Sequence, residues 1–171
     1  MHKVLIVTGS DSDLPVIQEA CSILEEFGVD YSVRVLSAHR APDYVAELAK
    51  CARENGFGVI IAAAGLAAHL PGVVAAHTTL PVIGLPIKSG ALAGQDALYS
   101  IVQMPPGVPV GCVGINAARN AGLLAVQILS VSDSSLAEAF CEFKRAMQDG
   151  VLRKDARVQK TGVKGYLEAS K

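Results

Sequence analysis

Residues 58–63, Gly-Val-Ile-Ile-Ala-Ala, are apolar throughout, with no alternation of polar and apolar positions. A strand written this way has two buried faces, as in a parallel sheet covered by helices on both sides. The rest of the first two-thirds of the chain fits that reading, because short apolar runs alternate with helical periodicity. Residues 3–8 form the first run. Leu14, Ile17, Cys21, Leu24 and Phe27 then recur at helical spacing, and Gly28 ends the pattern. Residues 31–37 predict a second strand. Residues 42–55 predict a helix with Val45, Leu48, Ala49 and Ala52 on one face. After the strand at 58–63 come a short helix over 70–77, a fourth strand over 81–85 and a fifth over 110–115. Asn116 stands where it could cap an alanine-rich helix over 117–131. Strand–helix alternation with short turns gives an α/β fold around a doubly wound parallel sheet. One α/β domain over residues 1–171 accounts for the length. Residues 133–171 read as a helical C-terminal extension, continuous or broken near Gly150. Its stripe of Leu136, Phe140, Phe143 and Met147 either covers the chain's own sheet or packs on a neighbouring subunit.

Charge is nearly balanced, at net −1, with no basic stripe, which argues against nucleic acid as a partner. A hydrophobic content of 51% against 18% charged residues leaves few charges to cover a monomer, and so predicts large subunit interfaces. Cys21, Cys51, Cys112 and Cys141 show no paired spacing, and read as buried free thiols in a reducing compartment. The apolar run at residues 4–7 is too short for a signal peptide. Residues 59–76 contain His69 and a Pro71-Gly72 pair, and divide into a strand and a helix rather than one membrane span. These features predict a cytoplasmic protein with no membrane partner.

In a parallel sheet of this kind, ligands bind at the carboxyl ends of the strands. Four turns leave those ends, at residues 9–13, 37–41, 64–69 and 88–90. The first, Gly-Ser-Asp-Ser-Asp, puts hydroxyls and free N–H groups at a helix start, which suits a phosphate, and an aspartate that suits ribose hydroxyls. Capping by Ser12 or Asp13, followed by Pro15, is the simpler account of part of it. The turn matches neither a dinucleotide fingerprint nor a P-loop. The second turn holds His39, able to move protons near neutral pH, beside Arg40, able to clamp an anion with a planar fork. His69 begins a helix and, taken alone, reads as a half-buried histidine satisfied by backbone; His77 sits at a helix end. Histidine and cysteine spacings fit no metal site, and no Gly-x-Ser-x-Gly elbow is present.

Four motifs in order are similar to those of the 5-(carboxyamino)imidazole ribonucleotide mutases of purine synthesis. They are Gly9-Ser-Asp-Ser-Asp13, Ser37-Ala-His-Arg-Ala-Pro-Asp43, Ala67-Ala-His-Leu-Pro-Gly72 and Leu98-Tyr-Ser-Ile-Val-Gln-Met-Pro105. The resemblance implies a three-layer, flavodoxin-like α/β sandwich assembled as a homo-octamer, with no metal and no cofactor. It implies transfer of a carboxylate from an exocyclic nitrogen to a ring carbon of an aminoimidazole ribonucleotide. By matching motif, Ser10, Ser12, Asp13, Ser37 and Arg40 hold the ribose phosphate, and His39 carries the proton. Ala64, Gly65, Leu66, His69 and Leu70 face the imidazole and its carboxylate. The residues before His69 depart from the family's Gly-Ala-Gly-Gly-Ala-Ala, reading Ala63-Ala-Gly-Leu-Ala-Ala68. A leucine disfavours positive φ, so Leu66 is expected at negative φ or in a displaced loop. Two other functions fit the architecture: a carboxylase acting on aminoimidazole ribonucleotide and carbon dioxide, and a non-catalytic nucleotide- or flavin-binding module.

Overall fold

The computed structural model describes residues 2–169; the first residue and the last two of the expected 1–171 domain lie outside the described residues. Five parallel strands form the sheet, β1 (Lys3–Thr8), β2 (Tyr31–Val35), β3 (Phe57–Gly65), β4 (Val82–Ile87) and β5 (Gly111–Cys112), in the order β2-β1-β3-β4-β5. Side chains alternate between the faces of each strand. Val4, Ile6, Ile61, Ile83 and Leu85 therefore point to one side, against helices α1 (Leu14–Glu26) and α5 (Ala118–Ser130). Leu5, Val7, Ile60, Ala62 and Val82 point to the other, against α2 (Pro42–Cys51), α3 (Leu70–His77) and α4 (Gln95–Val102). The result is helix, sheet, helix in three layers, as expected. Each fully buried Ile or Leu in these layers contributes roughly 1.5–3 kcal/mol relative to an exposed position.

The differences from expectation have local causes. The segment after β4 contains a helix, α4, that sequence periodicity did not predict; its N-cap is Gly94, whose left-handed backbone carries no capping side chain. Strand β5 is shorter than the predicted 110–115. Val113 N donates to the Gly84 carbonyl (3.1 Å) and Asn116 N to that of Pro86 (2.9 Å), so pairing continues irregularly past Cys112. Asn116 does not cap α5. Its backbone has φ 55, and its side-chain oxygen instead accepts from Lys88 N at 2.7 Å, tying the start of α5 to the end of β4.

The last helix, α6 (Ser134–Glu168), is capped by Asp133, whose carboxylate accepts from Ser135 N and Leu136 N at 3.1 and 3.2 Å. It runs through Gly150 without a break. A lone glycine in an exposed helix costs only about 1 kcal/mol, too little to end it. The chain kinks instead at Gly162 (φ 67, ψ 170), where one helix gives way to a second short one. Phe140 and Phe143 pack on Phe27 of the α1 C-cap, with ring centroids 5.8 and 5.6 Å apart, so the first turns of α6 do cover the chain's own α1–α5 layer. Beyond them Met147, Val151, Leu152, Val163 and Leu167 are exposed. Residues 59–76 fall into β3 and α3, and among the described residues no helix is long and apolar enough to cross a membrane.

Candidate active site

The first turn is held by a buried hydroxyl. Thr8, the last residue of β1, donates through Oγ1 to Asp13 Oδ2 at 2.6 Å. Asp13 is itself almost fully buried, so its carboxylate is fixed in direction. It stands at the N-cap of α1 but makes no capping bond, being turned to Thr8 instead. Ser10 caps a short 3-10 turn over Asp11–Asp13, and its hydroxyl accepts from Ser12 N (3.3 Å) and Ser12 Oγ (2.8 Å). Simple capping of α1 by Ser12 or Asp13 therefore does not occur.

The second turn leans onto the first. Arg40 Nη2 donates to the Gly9 carbonyl at 2.8 Å, and Arg40 N to Ser37 Oγ at 3.3 Å. Among the described residues the guanidinium makes no other hydrogen bond or ion pair, and it lines the same cleft as the serine turn. His39 lies four residues past the end of β2, and His69 four past the end of β3. Because β1 lies between those strands, the two imidazoles meet over its carboxyl end. His39 Nε2 and His69 Nδ1 are 2.8 Å apart, with the rings edge-on at 5.0 Å between centroids. Such a contact holds one hydrogen between two nitrogens, so whichever ring donates, the other offers a lone pair. His69 is thus not the half-buried, backbone-satisfied histidine that its sequence context suggests; it is exposed, and its ring partner is His39.

The third turn supplies the apolar side. Ala64 and Leu70 are buried, while Leu66 is 54% exposed, with φ 53. The expectation of a negative φ is wrong: the leucine is held in the left-handed region, and its side chain reaches Gly90 in the turn after β4. A cleft of about 300 Å³ joins all these turns. Ser10, Ser12, Asp13, Ser37, His39, Arg40, Ala64, Gly65, Leu66, His69 and Leu70 all line it, together with Ser89. Sequence reasoning passed over Thr8 and Ser89. Thr8 is a polar residue closing an apolar strand, which was the available signal; Ser89 had none beyond its place in the fourth turn.

Other chemistry finds little support in the residues. Cys21, Cys51, Cys112 and Cys141 are free, but partly or fully exposed rather than buried, and none lines the cleft. Burial pushes the Cys21 and Cys112 thiols up, and a hydrogen bond to Glu47 does the same for Cys51, which opposes a nucleophilic role. Among the described residues no cluster of three or more His, Cys, Asp or Glu is arranged for a metal ion. No Phe, Tyr or Trp lines the cleft to stack a flavin.

Comparison with known proteins decides the family: residues 3–150 match the family model described as AIR carboxylase. The chain belongs to the AIR carboxylase family. Within that family it is 54% identical to N5-carboxyaminoimidazole ribonucleotide mutase of Thermotoga maritima, over 98% of each chain. It is 50% identical to phosphoribosylaminoimidazole carboxylase of Saccharomyces cerevisiae, covering 95% of this chain but only 28% of that one. Among solved structures, PurE of Treponema denticola superimposes with a TM-score of 0.83 at 28% identity, over 92% of this chain and 99% of that one.

Within the cleft, Leu66 is the residue that invites a direct test. A left-handed backbone costs a side-chain-bearing residue roughly 1–2 kcal/mol, which Leu66→Gly would relieve. Glycine's extra freedom in the unfolded chain costs back about 0.5–1 kcal/mol. The variant is therefore expected to melt within a few degrees of wild type while its turnover changes, because the wall of the cleft is gone. Thermal denaturation beside a rate assay checks this; a large drop in melting temperature would show that the leucine stabilises its turn.

Proposed function

We propose that this chain is an N5-carboxyaminoimidazole ribonucleotide mutase of de novo purine biosynthesis, working without ATP, metal or cofactor. The observation that carries the reading is the His39–His69 pair, 2.8 Å apart, on the same cleft as Arg40 and the Ser10–Asp13 turn. Ser12, Ser37 and Arg40 take the phosphate, with Ser10 beside them, and Asp13, aimed by Thr8, takes the ribose hydroxyls. That anchoring sets the imidazole against Ala64, Gly65, Leu66 and Leu70. His39 gives a proton to the exocyclic carbamate nitrogen, the C–N bond breaks, and carbon dioxide is released. Ala64 and Leu66 keep it beside the ring carbon, which attacks it to form the new C–C bond. Neutral His39 then removes the proton from that ring carbon, so one imidazole serves as acid and then as base. His69 fixes the orientation of His39 and can exchange the shared hydrogen with it.

The test is conversion, with chelator and without ATP, of two substrates: the N5-carboxyamino ribonucleotide, and aminoimidazole ribonucleotide with bicarbonate. Rapid conversion of the first alone supports the mutase. Rapid conversion of the second alone would make the chain a direct carboxylase, and conversion of neither would leave a binding module.

The same reading gives a cytoplasmic homo-octamer in which the segment 88–103, apart from Ser89 on this chain's own cleft, closes a neighbour's site and α6 packs on an adjoining subunit. It is supported by the exposed Leu92, Tyr99 and Val102 of that segment, and by the apolar residues along the outer part of α6. Asp96 Oδ1 on α4, buried but without a hydrogen-bond partner among the described residues, adds to it. Light scattering is expected to give about eight times the 17.8 kDa protomer mass; a stable monomer at micromolar concentration would refute the assembly.

A further inference from the structure

The turns leaving β3 and β4 are locked together by two reciprocal contacts. A Cβ added at Gly65 would sit 2.5 Å from Ser89 Oγ, and one added at Gly90 would sit 2.7 Å from Leu66 Cδ2. Each turn supplies one glycine and one side chain, and each side chain fills the space that the opposite glycine leaves open. Both Leu66 and Gly90 have positive φ, at 53° and 61°, so both backbones are bent to make the fit.

The contact with Gly65 places the Ser89 residue on the wall of the cleft. Its Oγ is buried and has no hydrogen-bond partner among the described residues. The preceding amide, Lys88 N, is already committed to Asn116 Oδ1. Buried hydroxyls are nearly always paired, so an unpaired one on a cleft wall calls for a partner from the cleft. Only one bond, Cα–Cβ, sets the direction of that hydroxyl, with staggered alternatives to its place against Gly65.

Strand order says what that partner is. From β1, which carries the serine turn, β4 is two strand spacings away, about 10 Å. The hydroxyl and guanidinium groups suited to phosphate all lie at the β1–β2 end, and Ser89 lies at the other. A ribonucleotide anchored by its phosphate at the first end presents the substituents of its base to the second. We infer that Ser89 is a specificity-determining residue, whose hydroxyl donates a hydrogen bond to the carboxylate on the imidazole end of the ligand. This rests on the mutase reading.

The experiment is calorimetric binding to wild type and Ser89→Ala of two ribonucleotides, aminoimidazole ribonucleotide and the same compound carboxylated on the ring carbon. Ser89→Ala is expected to lose about tenfold in affinity for the carboxylated compound, as fits one hydrogen bond to a charged group, and none for the other. Its melting temperature is expected not to fall, since the substitution removes an unpaired buried hydroxyl. A hydroxyl that only packed the turns together would lower it. Should the alanine variant melt early, Ser89→Cys, similar in size and a weak donor, carries the same expectation. If wild type binds both compounds and the variants lose affinity for neither, or for both equally, the role of Ser89 is overturned while the mutase reading stands. If wild type binds neither, the mutase reading falls, and this assignment with it.

Discussion

His39→Asn is expected to bind the ribonucleotide and fail to convert it. The side chain is exposed and belongs to neither core cluster, so its replacement leaves the fold intact. Asparagine can still present a hydrogen-bond donor or acceptor to His69, but an amide cannot take up and release a proton at neutral pH. General acid–base assistance is worth ~10²–10⁴-fold, and in the proposed reaction one residue supplies it in both halves. The loss should therefore appear in kcat, at the upper part of that range, with ligand affinity close to wild type. Binding by calorimetry and conversion by ultraviolet absorbance separate the two. Near-normal conversion by the variant would remove His39 from the chemistry.

Arg40→Lys is expected to do the opposite, weakening binding with the charge unchanged. The guanidinium already spends one N–H on the Gly9 carbonyl at 2.8 Å and presents the rest as a planar fork. Lysine has a point charge on a flexible stem and cannot hold both the loop and a phosphate in the same geometry. Removing a charge-assisted hydrogen bond to the phosphate costs on the order of 1–3 kcal/mol, or roughly 5- to 150-fold in affinity. The comparison is made at fixed ionic strength, because screening alters any exposed charge. Unchanged affinity in the lysine variant would place the phosphate elsewhere in the cleft.

What the sequence revealed and what it hid follow one physical division. Strand β1 came out at Lys3–Thr8, as read, because four consecutive buried apolar residues between polar flanks leave no other solution. The site turns were legible for a related reason: polar residues that abruptly close an apolar strand in a parallel sheet must collect along one edge. Features set by residues distant in sequence were hidden. Asn116 looks like a helix cap until Lys88 N, 28 residues away, claims its side chain. The rule against positive φ for leucine is sound locally, but at Leu66 the side chain lies against Gly90, a residue 24 positions away that the local rule does not see. Helix α4 escaped notice between Gly90, Gly94 and Pro105, with only eight residues to show a period. The histidine pair needed strand order and register together, since His39 and His69 are 30 residues apart.

That pair also bears on how the chain reaches its folded state. Every neighbour pairing in the sheet is parallel, so no two strands can meet through a tight hairpin, and each pairing waits for an intervening crossover. Folding of such a topology is slow relative to a helical bundle. Strand β1 stays without a partner on one side until β3, which follows β2 in the sequence, has been made. His39 and His69 can touch only once β1 has been seated between their strands, so a partly folded chain holds two isolated imidazoles and no proton-sharing pair. The histidine contact in this cleft is therefore a product of long-range strand pairing, absent until β1 is flanked by both β2 and β3.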